Sequence, residues 1–236
     1  MSETNSGPTA AGMPLENGKD LESFHEPVLR AELLDFLQPG PNQLYLDGTV
    51  GGGGHARQIL EACEDCLLLA VDRDPEALSV ARTALSDLRD RVRFLHGRFE
   101  MASEDTEVRD RGLDGAFLDL GVSSHQLDSD SRGFTFRRGV ALDMRMDTSQ
   151  GHDARRFLAD ASETLLTSVF RDFGEEPKAR RLAREIVKRR MTSPLETSDD
   201  LVAALLVALG RSPSPQDKAR IFQAIRIAVN EEVESL

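Results

Sequence analysis

Between residues 43 and 119 the sequence alternates four short apolar runs with stretches of helical periodicity. This alternation is typical of successive βαβ units, whose strands lie parallel in one sheet. The sequence therefore predicts an α/β fold in which the strands end at a common edge. The four predicted strands are Gln43 to Asp47, Leu67 to Asp72, Val92 to His96 and Asp114 to Leu120.

The first predicted strand ends at Asp47 and continues into a glycine run, Gly51 to Gly54, that opens a helix. Glycine permits positive φ and close approach of a ligand, and a helix start offers free N–H groups. This pattern predicts a cradle for a nucleotide-type cofactor. Asp72 ends the second strand, where a carboxylate can accept both hydrogen bonds of a ribose diol. Because Asp74 already caps the next helix, the ribose role is favoured for Asp72 over a capping role.

Two cofactor classes fit this arrangement. Gly51, Gly53 and Ala56, followed by Asp72, satisfy the spacing of the fingerprint for NAD. A carboxylate at Asp47, however, would repel a pyrophosphate and attract the ammonium or sulfonium of S-adenosylmethionine. The electrostatics favour the cation-bearing cofactor and leave an NAD-dependent oxidoreductase as the weaker alternative.

After Leu120 the pattern of strands stops and helical stretches follow. We predict a helical subdomain at 127–215, inserted into a sheet domain made of 24–126 and 216–236, with a disordered tail at 1–23. Ser198, Asp199 and Asp200 are the predicted cap of one inserted helix, Leu201 to Leu209. The apolar positions of the inserted helices include Leu165, Leu166, Val169, Phe170, Phe173, Leu182, Ala183, Ile186 and Val187, and those of the last helix are Phe222, Ile225, Val229, Val233 and Leu236.

Charge and composition exclude several classes of protein. The 29 basic and 41 acidic residues give a net charge of -12, which argues against a global attraction to nucleic acid or to an anionic membrane. No apolar run approaches the length of a membrane span, and the first residues lack the features of a signal peptide. We therefore expect a cytoplasmic protein that does not contact membranes.

The cysteines and histidines do not form a recognisable metal site. Cys63 and Cys66 form a CxxC, which is compatible with a redox pair or half of a zinc site. A second pair of ligands is absent, and the CxxC follows a helix rather than opening one. No pair of the five histidines has ligand spacing, so we predict no metal.

Eight short stretches of the sequence, in this order along the chain, match the motifs of one known protein family. They are HEPVL (25–29), DGTVGGGGH (47–55), VDRDP (71–75), HGRF (96–99), LDLGVSSHQLD (118–128), RGFTF (132–136), LDMRMD (142–147) and FQAIRIAVNEE (222–232). Through them the sequence resembles the RsmH (MraW) family of ribosomal RNA methyltransferases over residues 24–236. The resemblance implies a class I (Rossmann-like) methyltransferase sheet interrupted by a helical domain.

The resemblance also implies an activity and a set of contacts. The activity is methylation of the exocyclic N4 of a cytosine in small-subunit (16S) ribosomal RNA, with S-adenosylmethionine as the methyl donor. The partner is that RNA or the assembled small subunit. The implied cofactor contacts are Gly53, Gly54, His55, Asp72, Phe99, Asp119 and Gln126.

Asp119 is the predicted catalytic residue, with the neighbouring loop carbonyls as the alternative acceptor and with Ser123 and Ser124 shaping the pocket. The lone pair of a cytosine amino group is delocalised into the ring, so an acceptor must take an N–H hydrogen bond as the nitrogen becomes tetrahedral. Phe134 and Phe136 are compatible with stacking on a flipped cytosine, with Arg132, Arg137 and Arg138 beside them gripping the flanking phosphates, and equally with anchoring a loop. The segment 171–190 holds eight basic and four acidic residues, and is the expected RNA-facing surface unless it is an ordinary solvated helix face.

Members of the resembled family ordinarily continue beyond the last helix into further strands, which this sequence lacks. If residue 236 is the true end of the chain, we expect a C-terminally shortened sheet with an uncovered edge beside the fourth strand, and poor solubility or self-association as a homodimer. The alternative function is that of a catalytically impaired relative that binds RNA or the ribosome as an assembly factor.

Overall fold

The computed structural model describes residues 29–233 as an α/β fold, as the alternation of the sequence predicts. The predicted tail at 1–23 lies outside the described residues. The strands are β1 (Leu44–Asp47), β2 (Leu67–Asp72), β3 (Val92–His96) and β4 (Gly115–Phe117). The helices are α1 (Arg30–Leu37), α2 (Gly54–Ala62), α3 (Pro75–Ala84), α4 (Thr106–Arg111), α5 (Ser124–Asp128), α6 (Ala154–Asp160), α7 (Glu163–Asp172), α8 (Ala179–Arg190), α9 (Ser198–Leu209) and α10 (Pro215–Asn230).

The four strands form one parallel sheet in the order β3-β2-β1-β4. From β1 the chain crosses through α2 to β2 on one side, whereas β4 pairs with β1 on the other side. The order of the strands therefore reverses direction between β1 and β4. In open α/β sheets, ligands bind outside the carboxyl ends of the strands at this point.

Helices cover both faces of the sheet. On one face, Tyr45, Ile59, Leu68 and Leu78 belong to a buried cluster that joins the sheet to α2 and α3. On the other face, Leu46, Leu69 and Val71 pack with Ala102. The start of α3 follows from its sequence, because the Asp74 carboxylate accepts the N–H of Glu76 and Pro75 occupies the first helical position.

The residues after α5 build a core of their own from α6 to α10. The inserted subdomain at 127–215 stays a prediction, and one observation bears on its boundary. Ile221, Phe222 and Ile225 of α10 lie in the same cluster as Leu166 and Phe170 of α7. The last helix therefore shares its buried face with the helical part, although the predicted division assigns 216–236 to the sheet domain.

Several predicted boundaries are wrong in detail. The fourth strand ends at Phe117, not Leu120, because the N–H of Asp119 donates to the Thr49 side chain instead of a neighbouring strand. The N-cap of α9 is Thr197 and not Ser198, because the Thr197 hydroxyl accepts the N–H of Asp200 while the Asp200 carboxylate accepts the N–H of Thr197.

Two predicted apolar positions are also wrong. Leu165 on α7 is 47% exposed, because it points away from the helical core. Val233 is 52% exposed, because α10 ends at Asn230 and Glu231 takes a left-handed conformation with φ 51°. Leu236, the last predicted position on that face, lies outside the described residues.

Candidate functional site

The loop after β1 is fixed between the two neighbouring strands. The N–H of Gly48 donates to the carbonyl oxygen of Phe117 at 3.1 Å, and the N–H of Val50 donates to that of Val71 at 2.9 Å. A Cβ on Gly48 would overlap the Leu118 side chain and lie 2.9 Å from the Cβ of Phe99. Glycine at 48 therefore allows the chain to pass close to Phe99, which brings that predicted contact to the loop.

The helix that the sequence predicts behind the glycine run is present and begins at Gly54. Gly53 adopts φ 85° at the N-cap and has no side chain with which to cap the helix. Backbone N–H groups of the first turn of α2 thus lack an intrahelical acceptor. His55 lies in this turn and meets Phe117 edge to face, with ring centroids 5.4 Å apart.

Asp72 lies against the glycine loop at the end of β2. Its Oδ2 accepts the N–H of Gly51 at 2.8 Å, and its Oδ1 accepts the N–H of Asp74 at 2.9 Å. Burial raises the pKa of Asp72, although these backbone N–H groups lower it in part. Each carboxylate oxygen keeps a second lone pair, so the geometry is compatible with the predicted bonds from a ribose diol.

Asp47 is 1% exposed and only partly satisfied. Its Oδ1 accepts the N–H of Thr49 at 3.1 Å, whereas its Oδ2 is buried without a hydrogen-bond partner among the described residues. Burial raises the pKa of Asp47 well above its usual value, and the negative charges of Asp72 and Asp119 raise it further. Three carboxylates thus act on one another here, and a cationic ligand would relieve their repulsion.

Asp119 lies two residues beyond β4 and is exposed. Its backbone N–H donates to Thr49 Oγ1 at 2.7 Å, so the loops after β1 and β4 are tied together. The switch point of the sheet therefore joins the glycine loop, Asp47, Asp72 and Asp119, all of which the sequence singled out.

Gln126 is turned toward the protein. Its Oε1 accepts the N–H of Ser123 at 3.0 Å in a capping box, and its Nε2 donates to Asp74 Oδ2 at 2.6 Å. The residue is 6% exposed. Its predicted contact with the cofactor stays a prediction, while its observed bonds support the helix cap and Asp74.

The two phenylalanines of the RGFTF stretch differ in environment. Phe134 is buried in the helical core, so it anchors the loop, which is one of the two roles that the sequence leaves open for it. Phe136 is 38% exposed and meets Phe222 edge to face. It lines a cleft of about 180 Å³ together with Val122 and Leu127.

In the basic segment 171–190, some cationic side chains bond to backbone carbonyl oxygens of the protein, whereas others are exposed to solvent. Arg190 donates to the carbonyl oxygens of Leu158 and Ala161, and Lys178 donates to that of Leu209, so these cations help to end helices. Exposed cations remain along α8: Arg180, Arg181, Arg184 and Lys188. Arg180 and Arg184 lie 4.0 and 3.7 Å from Glu163.

Within residues 29–233, no group of three or more His, Cys, Asp or Glu side chains is arranged to hold a metal ion. Cys66 is buried, its Sγ lies 3.2 Å from the carbonyl oxygen of Cys63, and burial raises its pKa to about 11. A raised pKa disfavours the thiolate that redox or metal chemistry needs. In the same part of the chain, no helix is long and apolar enough to cross a membrane.

Sequence reasoning missed Thr49, and its prediction that Arg132 grips RNA phosphates is wrong. Thr49 stands between Asp47 and the glycine run; its N–H bonds the nearby Asp47, but its hydroxyl bonds Asp119, 70 residues away, and no local pattern signals that contact. Arg132 is only 3% exposed and lies 2.8 Å from Asp74 Oδ2, so its guanidinium is occupied inside the protein and does not face an RNA phosphate. No local pattern predicts that a surface-type residue in a loop becomes buried.

Comparison with known proteins adds to this geometry. A model of the MraW methylase family matches residues 22–236. The chain is similar to the ribosomal RNA small subunit methyltransferase H of Geotalea uraniireducens (strain Rf4), with 45% identity over 222 residues, 92% of this chain and 71% of that protein. It is also similar to the protein of that name from Syntrophotalea carbinolica, with 46% identity over 217 residues, 90% of this chain and 69% of that one.

Proposed function

Because this chain belongs to the MraW methylase family, we propose that it transfers a methyl group from S-adenosylmethionine to the exocyclic N4 of a cytosine in small-subunit ribosomal RNA. Because the members of this family are methyltransferases, this chain is a methyltransferase. The names of its relatives support small-subunit ribosomal RNA as the substrate.

The observation that carries the choice of cofactor is the partly unsatisfied carboxyl group of Asp47. A buried acceptor without a partner costs free energy until a ligand satisfies or neutralises it. With Asp72 and Asp119 nearby, this edge of the sheet attracts cations and disfavours the pyrophosphate of NAD. S-adenosylmethionine supplies a methyl group on a positively charged sulfonium, which becomes a neutral thioether when the methyl leaves.

The positions of the following residues at the edge of the sheet support the proposed cofactor contacts. Asp72 binds the ribose, the first turn of α2 with Gly53, Gly54 and His55 borders the glycine loop, and Phe99 packs beside Gly48. Gln126 is proposed to contact the cofactor from the position in which its Nε2 donates to Asp74 Oδ2.

Asp119 is proposed to accept a hydrogen bond from the amino group of the cytosine. The nitrogen forms a bond to the methyl carbon, the carbon–sulfur bond breaks with its electron pair on sulfur, and one N–H proton passes from the nitrogen to the Asp119 carboxylate and from there to solvent. An exposed carboxylate on an anchored backbone suits this task, since it can reach an incoming base while its Cα stays fixed by Thr49.

The RNA itself is proposed to contact the exposed cations of α8. Arg181 and Lys188 are separated by seven residues and so lie on one face of the helix. The protein as a whole is acidic, so RNA binding depends on where the positive charge is concentrated rather than on its total.

A methyl-transfer assay tests the proposal. The protein is incubated with tritium-labelled S-adenosylmethionine and with small subunits from cells that lack this methylation, and the nucleosides are separated by chromatography with mass detection. We expect label in N4-methylcytidine, and none with fully methylated subunits. Label in another nucleoside contradicts the N4 assignment, and binding of the subunits without any transfer supports the assembly-factor alternative.

A further inference from the structure

The turn that follows β2, residues 72–74, is held from two sides by buried polar contacts. On the first side is Arg132, which reaches Asp74 Oδ2 at 2.8 Å through Nη2 and Glu76 Oε2 at 2.7 Å through Nη1. The same Nη2 donates to the carbonyl oxygen of Met146 at 2.8 Å. One guanidinium thus joins the turn of the sheet domain to the segment 142–147.

The second side is formed by α10. Arg73 Nη1 donates to the carbonyl oxygen of Asn230 at 2.7 Å. The Asn230 side chain accepts the N–H of Met146 at 2.8 Å through Oδ1 and donates to the carbonyl oxygen of Met144 at 2.7 Å. Both routes therefore meet at the backbone of Met146, whose C=O faces Arg132 and whose N–H faces Asn230.

These contacts close a ring, which we call the turn clamp, through Asp74, Arg132, Met146, Asn230 and Arg73. The turn clamp unites four stretches by which the sequence resembles its family: VDRDP, RGFTF, LDMRMD and FQAIRIAVNEE. The clamp is connected to the carboxylates of the candidate site through the backbone of the turn.

That connection is short. The N–H of Asp74 donates to Asp72 Oδ1 at 2.9 Å, so a shift of the turn moves the carboxylate proposed to bind the ribose. Gln126 Nε2 shares Asp74 Oδ2 with Arg132, which links the clamp to the helix that follows the Asp119 loop. Asp74 is therefore a junction between the cofactor edge and the helical part.

The guanidinium of Arg132 stays charged and holds several acceptors of the turn clamp in place. Burial disfavours the guanidinium of Arg132, but its ion pairs with Asp74 and Glu76 outweigh this and raise its pKa. A planar fork holds several acceptors at once, which a lysine ammonium on a flexible stem does not reproduce.

We propose that Arg132 is a positioning residue that, with Asn230, fixes the Asp72–Asp74 turn to the helical part of the protein. The clamp holds the donor site and the side that receives the RNA in one relative geometry, and this geometry is what the transfer step needs. The inference rests on the proposed function and adds to it a residue that touches neither substrate nor cofactor.

The test compares Arg132→Lys with Arg145→Lys. The control arginine lies in the segment 142–147 that Arg132 contacts, but it pairs with Asp143 at 2.8 Å rather than with the turn. For each protein, the Kd for S-adenosylmethionine is measured by calorimetry, and kcat and KM on undermethylated subunits are measured well below the unfolding temperature. In assays on undermethylated subunits with S-adenosylmethionine as the varied substrate, we expect Arg132→Lys to raise KM for S-adenosylmethionine and to lower kcat, each by roughly tenfold. The Kd for S-adenosylmethionine should rise by a similar factor, and all three values should change by less than about twofold in the control.

A structural role alone gives a different signature, in which kcat falls with the folded fraction while Kd and KM stay unchanged. That result, or equal effects in both variants, overturns the inference. If Arg132→Lys fails to fold, Asn230→Ala tests the second route. This variant is expected to raise Kd and to lower kcat, as Arg132→Lys does, and wild-type values of Kd and kcat in it overturn the inference.

Hydrogen–deuterium exchange separates failure of the clamp from failure of the proposed function. A wild-type protein that neither binds S-adenosylmethionine nor transfers methyl contradicts the proposed function. The clamp itself still predicts faster exchange at residues 73–78 and 144–146 in Arg132→Lys than in Arg145→Lys. Equal exchange at those amides in both variants overturns it.

Discussion

The side-chain oxygen of Thr49 accepts the backbone N–H of Asp119 at 2.7 Å, which joins the loop after β1 to the loop after β4. The N–H of Thr49 in turn donates to Asp47 Oδ1 at 3.1 Å. A single hydroxyl-bearing residue therefore sets the spacing between a buried carboxyl group and the exposed carboxylate proposed to meet the substrate.

Thr49→Val keeps the shape of the side chain and removes the acceptor. We expect a loss of about 1 kcal/mol in the free energy of unfolding, because one backbone N–H loses its partner. We expect a larger effect on transfer, with kcat lowered at least roughly tenfold, because the Asp119 loop is no longer fixed. Thr49→Ser, which keeps the hydroxyl, is the control. Equal kcat values in the valine and serine variants would contradict the role of this bond.

Asp119→Ala is expected to lower the rate of methyl transfer by a factor of roughly 100 or more, the usual contribution of a positioned proton acceptor. Calorimetry should show that S-adenosylmethionine still binds, with a Kd within roughly tenfold of the wild-type value, since Asp72 and the glycine loop are unchanged. Asp110→Ala, at an exposed carboxylate on α4, is the matched control. Near-normal turnover in the Asp119 variant refutes the catalytic assignment.

Asp47→Asn keeps an oxygen for the N–H of Thr49 and removes a charge that burial, Asp72 and Asp119 all disfavour. We expect a higher melting temperature without ligand and an affinity for S-adenosylmethionine lower by roughly tenfold, about 1.4 kcal/mol. The loss should be smaller for S-adenosylhomocysteine, which lacks the sulfonium. Equal losses for both ligands would show that the Asp47 charge does not act on the sulfonium.

The raised pKa of Asp47 also predicts a dependence on pH. A carboxyl group whose pKa is raised by folding stabilises the folded state below its unfolded-state pKa, and this stability is lost as the pH rises through the folded-state pKa. Binding of the cationic cofactor has the opposite trend and weakens as the pH falls through the raised pKa values of Asp47 and Asp72. Titration calorimetry from neutral to acidic pH should show this slope reduced in Asp47→Asn; an unchanged slope contradicts it.

Reversing two charges on α8, Arg181→Glu with Lys188→Glu, should weaken binding of small-subunit RNA. We expect the slope of log Kd against log salt concentration to fall by roughly one for each phosphate that the variant no longer neutralises. The matched control reverses two exposed arginines elsewhere, Arg89→Glu with Arg109→Glu, and so changes the net charge equally. If both double variants bind RNA alike, α8 presents an ordinary solvated face.

The strands and the cofactor edge were predictable from the sequence because their signals are local. Apolar runs such as Leu67 to Asp72 and the cap formed by Asp74 and Pro75 are recognised within a few residues, and the structure confirms the strand and the helix they predict. The loop at Gly51 to Gly54 is equally local, since backbone conformation limits which residues fit it. Parallel strands then bring Asp47, Asp72 and Asp119 to one edge.

Packing between distant parts of the chain was not predictable in this way. The burial of Arg132, the inward turn of Gln126 and the helical core that receives α10 each depend on surfaces that meet only after folding. The sequence by itself therefore determined which elements form and which carboxylates end the strands. Only the tertiary structure decided which polar groups are buried and with which partners, because the cost of burying a charge depends on neighbours that local sequence does not specify.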